Sequence, residues 1–255
     1  MVTQFEELTD SQWQGMQEFL PVKRKRILDL RLIVNAIFWI VRTGSQWRNL
    51  DSRYPKWTAV YYYFYKWSRD GTLEKTNAYL NEIERQRQDK EPTPSLACAD
   101  SQSVKLAPMI FEDKGLDGNK KVNGRKRQVM VDTLGLVWGV FVHAANLSDT
   151  VMGCELFKQV KERFTRLEKI LVDAGYKGTF ITKALEELGV VAEISSRPPT
   201  EKGFVPLAKR WVSERTFGWF NFYRRLSKDY EHTTKSAEAM ILLANCSVIL
   251  QRFDY

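Results

Sequence analysis

The sequence predicts a chain in two parts: a small helical bundle, then a mixed β-sheet flanked by helices. Three observations carry this. Across residues 8–89 the apolar positions recur three and four apart, the period of helices buried on one face. Residues 88–95 (QDKEPTPS) contain two prolines and no apolar residue, so they read as a linker. Beyond the linker, short apolar runs bounded by turn residues alternate with helical segments, as in a sheet that carries helices on its faces. The expected units are residues 1–90 and 91–255.

In the first unit, Thr9 or Asp10 caps a helix over 11–20 that Pro21 ends. A second helix covers 27–43, with Leu30, Ile33, Val34, Ile37, Phe38 and Val41 on one stripe and Gly44 suited to its C-terminus. A short helix at 45–50 buries Trp47. The third helix, 56–69, has a core stripe of Trp57, Val60, Tyr61, Phe64 and Tyr65, which leaves Lys56, Tyr62, Tyr63, Lys66 and Arg69 pointing elsewhere. A fourth helix spans 73–87. A basic bundle with a short helix, a turn and an aromatic-rich third helix is similar to a helix-turn-helix module.

In the second unit, strands are expected at 96–103, 126–131 and 137–143, the last two joined by the tight turn Asp132-Thr133-Leu134-Gly135. A helix over 149–164, a strand at 169–172, a helix over 179–188 and a strand at 190–194 follow. Helices at 207–223 and 236–250 close the chain. The order β-β-β-α-β-α-β-α-α is that of a ribonuclease H-like fold.

Composition narrows the function classes. With 39 Lys and Arg against 31 Asp and Glu the formal net charge is +8, which favours a polyanionic partner. The charge clusters at Lys23–Arg26, Lys120-Lys121, Arg125–Arg127, Lys209-Arg210 and Arg224-Arg225. The three cysteines are isolated, so neither a disulfide framework nor a zinc site is indicated, and a reducing cytoplasm fits. The polar start MVTQFEELTD is unlike a secretory leader, and the apolar runs at 32–41 and 239–250 are too short to span a bilayer, so no membrane partner is expected.

Three carboxylates stand out. Asp100 interrupts an otherwise apolar strand, where an ionised group is costly unless paired or metal-bound. Asp173 directly follows the strand KILV, although taken singly a turn-forming role before Ala-Gly is the better reading. Glu214 lies on a predicted helix between Arg210 and Arg215, where a surface ion pair is the plainer reading. Two strand aspartates and a later helical glutamate can converge at one edge of such a sheet, and their oxygens suit Mg²⁺. Two such ions about 3.5–4 Å apart serve phosphodiester displacement. Asp132, Asp149, Asp229 and Glu231 are the remaining candidates. They read as a turn residue, a helix cap and two partners for the basic segment 224–228.

These residues sit in long motifs: ADSQSVK (99–105), KKVNGRKRQVMVDTLGLVWGVFVHAANLSD (120–149), LVDAGYKG (171–178) and RWVSERTFGWFNFYRRLSKDYE (210–231). Together they resemble the DDE transposases of bacterial insertion sequences, of the insertion-sequence-five type, and the N-terminal stretch resembles the helical domain of that group. The resemblance implies that Asp100, Asp173 and Glu214 are catalytic and hold Mg²⁺, two ions with Asp100 bridging, and that Mn²⁺ substitutes. Arg210 matches the arginine of the family's glutamate motif, whereas Leu207 and Asn221 stand where it has Tyr and Lys, and Gln128 replaces a usual His.

The implied function is binding of an element's terminal inverted repeats, metal-dependent DNA cleavage and strand transfer into target DNA. The implied partners are double-stranded DNA and further copies of the chain, in a bacterial cytoplasm at the nucleoid. Arg210, Arg215, Arg224, Arg225 and Lys228 are then expected to hold phosphates. Lys121, Arg125 and Lys126 are expected to track the backbone, and Lys56, Tyr62, Tyr63 and Lys66 to read the repeat ends. Trp219 or Phe220 is a candidate for base stacking, with a core role the plainer reading. The alternative is a catalytically decayed or repurposed sequence-specific DNA-binding protein.

Overall fold

A computed structural model describes residues 5–18, 20, 28–161, 163–195 and 211–253. Helix α1 (Asp10–Gln17) starts at a reciprocal cap: the Thr9 hydroxyl accepts from Gln12 N (3.3 Å) and the Gln12 side chain accepts from Thr9 N (3.1 Å). Helix α2 (Leu30–Thr43) begins where the Asp29 carboxylate accepts from Arg31 N (2.8 Å) and ends at left-handed Gly44. A single 3₁₀ turn, Trp47–Asn49, leads to α3 (Trp57–Trp67) and α4 (Thr72–Arg87). Trp47 packs on Tyr61 and Phe64 at ring separations of 5.2 and 5.0 Å. The buried line of α3 runs through Val60, Phe64 and Trp67, so Tyr65, expected in the core, is exposed under the Arg69 guanidinium.

The second part is a six-stranded mixed sheet made of β1 (Leu96–Lys105), β2 (Gly115–Asp117), β3 (Val122–Asp132), β4 (Val137–Ala144), β5 (Lys169–Val172) and β6 (Val191–Ile194). Strand β3 is antiparallel to β1 on one side and to β4 and the short β2 on the other. Strands β5 and β6 add to β1 in parallel. The main order β4-β3-β1-β5-β6, two antiparallel pairings then two parallel ones, is the ribonuclease H-like arrangement.

Helices α5 (Asp149–Met152), α6 (Glu155–Val160), α7 (Thr179–Leu188), α8 (Trp211–Phe220) and α9 (Thr234–Leu250) flank the sheet. The single helix expected over 149–164 is two, because the chain turns at Gly153, where a Cβ would lie 2.7 Å from the Tyr176 ring. The expected helix 207–223 is described from Trp211, and its earlier residues lie outside the described ones.

The helical segment and the sheet share one apolar core. They are also tied by a buried polar clasp on β4. The Val137 carbonyl accepts from Asn77 and Asn81 of α4, both at 2.8 Å, and its N–H donates to Asn245 of α9 at 3.1 Å. Asn245 in turn donates to the Asn77 and Asn81 oxygens at 2.7 and 3.0 Å. Nearby, Arg85 of α4 reaches buried Asp132 at 2.6 Å, and the other Asp132 oxygen accepts from Leu134 N and Leu136 N. Asp132 is thus a turn residue, as its sequence context suggested.

Buried donors and acceptors left unmade cost about 1–3 kcal/mol each. Asn245→Ala strands the Val137 N–H and the freed amide oxygens, so we expect a loss of about 2–4 kcal/mol in denaturant unfolding; a loss below about 1 kcal/mol would show that the clasp adds little to stability.

Candidate active site

The parallel pairing of β1 with β5 sets Leu96 against Lys169, Ala97 against Ile170 and Cys98 against Leu171. The pairing ends there; Asp100 lies two residues further along β1 and Asp173 two residues further along the chain of β5, and the charges of both act on the Tyr176 phenol. Both residues are half-buried, Asp100 in the middle of β1 and Asp173 just past the end of β5, and the residues directly before each are buried.

Each aspartate is held. One Asp173 oxygen accepts from Gly175 N (2.8 Å) and caps the 3₁₀ turn Ala174–Tyr176, so the turn-forming reading of this residue is realised in its geometry. One Asp100 oxygen accepts from its neighbour Ser101 N (2.7 Å), and the other accepts from the hydroxyl of Ser213 (2.9 Å), which is fully buried on α8. That bond fastens α8 to β1. Glu214, next to Ser213 on the same helix, is exposed. Neither Ser213 nor its bond was visible in the residue pattern.

Behind β1 lies a buried polar chain. Ser101 pairs with Gln128 of β3, whose side chain accepts from the Tyr176 hydroxyl and donates to Asp149 at 2.7 Å. Lys126 reaches Asp149 at 3.2 Å and Asp117 at 3.9 Å. Asp149 therefore serves Gln128 and Lys126, while Ser148 holds the cap position of α5. Burial, followed by the charges of Asp100, Asp149 and Asp173, holds the Tyr176 phenol well above its ordinary range, so it stays a donor close behind both aspartates.

The donor set suits a divalent ion in its chemistry, since carboxylate oxygens are hard ligands. Among the described residues, however, no three His, Cys, Asp or Glu side chains already stand close enough to hold one.

The expected DNA-facing cations divide sharply. Lys121, Arg224 and Lys228 are exposed, and Arg215 is half-buried between the Trp211 and Trp219 rings. On α3, Lys56, Tyr62 and Lys66 are exposed and Tyr63 is half-buried. Arg210 lies outside the described residues, as does the cluster 23–26.

Three others are corrected by their burial. All three side-chain nitrogens of Arg125 are spent on Asp229 (3.2 Å) and the carbonyls of Glu112, Glu231 and His232. Lys126 is held as above, and Arg225 is paired with buried Glu231 at 2.7 Å. None of the three presents its charge to solvent. The partner of Asp229 is thus Arg125, not the basic segment 224–228. Phe220 is buried, and Trp219 sits between Arg215 and Arg252, so neither ring stands open for stacking.

Asp117 gives the site a pH signature. Burial alone would raise its pKa, but bonds from Ser103, Lys120 N and Asn119 N and the charge of Lys126 outweigh this and lower it from 3.8 to about 2. A depressed carboxylate stabilises the fold above its unfolded pKa, and that stability is lost as pH falls through the folded value. Asp117→Asn should therefore destabilise the protein near neutral pH, with the difference shrinking from about pH 4 toward about pH 2. A pH-independent difference in chemical unfolding would contradict the assignment.

Against known proteins, residues 91–249 match the family described as "Transposase DDE domain", and residues 8–77 match "Putative transposase of IS4/5 family". The chain is 26% identical over 132 residues to the "Putative transposase for insertion sequence element IS402" of Burkholderia cepacia, covering 49% of this chain. It is 34% identical over 77 residues to the "Uncharacterized protein y4sN" of Sinorhizobium fredii (strain NBRC 101917 / NGR234), covering 29% of this chain. The aligned regions span 62% of each relative's length. The DDE match covers well over half of the chain and contains Asp100, Asp173 and Glu214: this protein belongs to the transposase DDE domain family.

Proposed function

We propose that the protein is a transposase that binds the terminal inverted repeats of its own insertion sequence, cuts DNA beside them in a Mg²⁺-dependent reaction and joins the freed end to target DNA. What supports this reading is that Asp100 and Asp173 each follow the paired stretch of β1 and β5 by two residues, together with the Ser213–Asp100 bond that fastens the helix of Glu214 to β1.

In the first reaction, water adds to the phosphorus at the element end and the P–O3′ bond breaks, leaving a 3′-hydroxyl and a 5′-phosphate. In the second, that 3′-hydroxyl attacks a target phosphorus and displaces the target's own 3′-oxygen. Asp100 and Asp173 would hold divalent metal, two ions in the full site, with Glu214 completing the ligand set. The metal supplies Lewis-acid chemistry that activates the attacking oxygen and stabilises the leaving one.

The chain's own residues do the rest. Ser213 fixes the orientation of Asp100, and the Gly175 amide fixes Asp173. Arg215, Arg224, Lys228 and Lys121 are left to bind phosphates, where charge positions the strand without reading sequence. The outer face of α3, with Lys56, Tyr62, Tyr63 and Lys66, is assigned to the repeat ends. Holding two ends at once calls for a second copy of the chain on DNA. No described helix is long and apolar enough to cross a membrane, and the setting we assign is the bacterial cytoplasm, at the nucleoid.

Cleavage of a labelled duplex carrying the terminal repeat, with Mg²⁺, tests the reading. Asp100→Ala, Asp173→Ala and Glu214→Ala should each lose more than about a hundredfold in rate while still binding DNA, beyond the ~10–100-fold typical of residues that only support a ligand. Cutting that survives one substitution removes that residue from the site. Binding without cutting by the wild type would favour a decayed or repurposed DNA-binding protein. Ser213→Ala belongs to the supporting class: we expect it to need ~10–100-fold more Mg²⁺ for half-maximal cleavage, largely restored in Ser213→Thr.

A further inference from the structure

Between β1 and β2 the chain makes a loop, residues 106–114, that the catalytic assignment does not use. Its middle is pinned to the core. Ile110 is buried, and the Glu112 carbonyl accepts two bonds from buried Arg125, at 3.1 and 2.6 Å. The Glu112 carboxylate accepts from Thr234 N at the start of α9 (3.2 Å), and Ala107 N donates to the Asp229 carbonyl (2.8 Å). On either side of Ile110, Met109 and Phe111 stand 77% and 71% exposed. Met109 and Asp113 also adopt left-handed backbone, at φ 69° and 49°, which non-glycine residues enter rarely. A braced, strained loop that holds two large apolar side chains in water marks a binding surface more than a solvated turn does.

The groove beside this loop is lined by Lys105, Lys114 and Lys121 together with Phe111 and Met109. Lys114 Nζ lies 5.9 Å from the Phe111 ring centre. Of the neighbouring acids, Glu112 is engaged with α9 and Asp117 is buried against Ser103 and Lys126, leaving Asp113 exposed outside the lining. The lining itself carries positive charge only.

We infer that this groove binds an unpaired nucleotide of a DNA strand, with the base stacked on Phe111 and the flanking phosphates on Lys105, Lys114 and Lys121. Lysines alone would suit a duplex equally well, but base faces within a duplex are covered by their neighbours, and an exposed aromatic ring among lysines is the pairing that single strands use. Lys105 lies five residues along β1 from Asp100, about 17 Å at ~3.3 Å per residue. The inference rests on the proposed function, because it takes the occupant to be the strand that continues past the cut phosphate.

The test uses the full chain, a single-stranded oligonucleotide carrying 2-aminopurine, and a duplex carrying the terminal repeat. Wild type should bind the single strand with a change in 2-aminopurine emission. Phe111→Ala should weaken that binding roughly tenfold and remove the emission change, and Phe111→Trp should retain both. Lys114→Ala should lower the salt dependence of single-strand binding by about 0.7 in log–log slope. As Phe111 is exposed, thermal unfolding of the variants should match wild type. Single-strand binding and emission identical in Phe111→Ala and wild type would overturn the groove assignment, as would a wild type that binds and cuts the duplex but takes no single strand; in both cases the transposase reading stands. Failure to bind either form of DNA overturns both.

Discussion

A parallel strand pair can only form where both strands run to the same edge, and its register decides which residues meet there. In this chain, Leu96–Cys98 of β1 lie against Lys169–Leu171 of β5. Ala97, Cys98, Ala99, Ile170, Leu171 and Val172 are all buried, so the pair is specified by packing as well as by backbone bonds. A slip of one residue would turn each apolar side chain to the opposite face and shift Asp100 relative to Asp173. Around that pair, the Ser213 bond ties α8 to β1 and the Tyr176 hydroxyl reaches Gln128 of β3. Apolar burial, rather than attraction between polar groups, fixes the strand pair that Asp100 and Asp173 follow, and carboxylates so placed suit a cation.

The basic residues have a different division of labour from the one their clustering suggests. Arg125 gathers the carbonyls of Glu112, Glu231 and His232 with Asp229, and Arg127 reaches the carbonyls of Leu226 and Lys228. Arg225 joins Glu231 to the Ser45 carbonyl at the end of α2. These guanidiniums splice the segment after α8 onto the sheet and onto the helical bundle. Removing Arg125 or Arg225 would leave a buried carboxylate, Asp229 or Glu231, unpaired, at a cost of about 3–5 kcal/mol. Of the expected DNA-facing cations, Lys121, Arg224, Lys228 and, on α3, Lys56 and Lys66 keep their charge at the surface.

Much of the fold was legible because local and tertiary preferences agree. The strand KILV and the helix 179–188 fall where turn glycines and apolar runs put them. Asp100 and Asp173 were conspicuous because carboxylates are out of place beside apolar strand residues. The three-residue β2 carries too short a pattern to read, and the break between α5 and α6 depends on a ring, Tyr176, that arrives from a distant segment. Tyr65 was misplaced because the stripe of α3 advances from Phe64 to Trp67. The burial of Arg125 and Lys126 could not be read locally, since their partners lie up to about a hundred residues away or across the sheet, whereas Glu231, six residues on, was legible as a partner for the segment that holds Arg225. Ser213 was silent for the same reason: a serine beside a glutamate says nothing until β1 is placed against α8.

Calorimetric titration of Mn²⁺ into the full chain tests the central claim most directly, because it reads the carboxylate pair without requiring DNA or turnover. The account predicts that wild type and Asp113→Asn, a change on the exposed loop, bind the ion alike, and that Asp100→Asn and Asp173→Asn lose binding while keeping the wild-type circular dichroism. Undiminished Mn²⁺ binding in folded Asp173→Asn would contradict it.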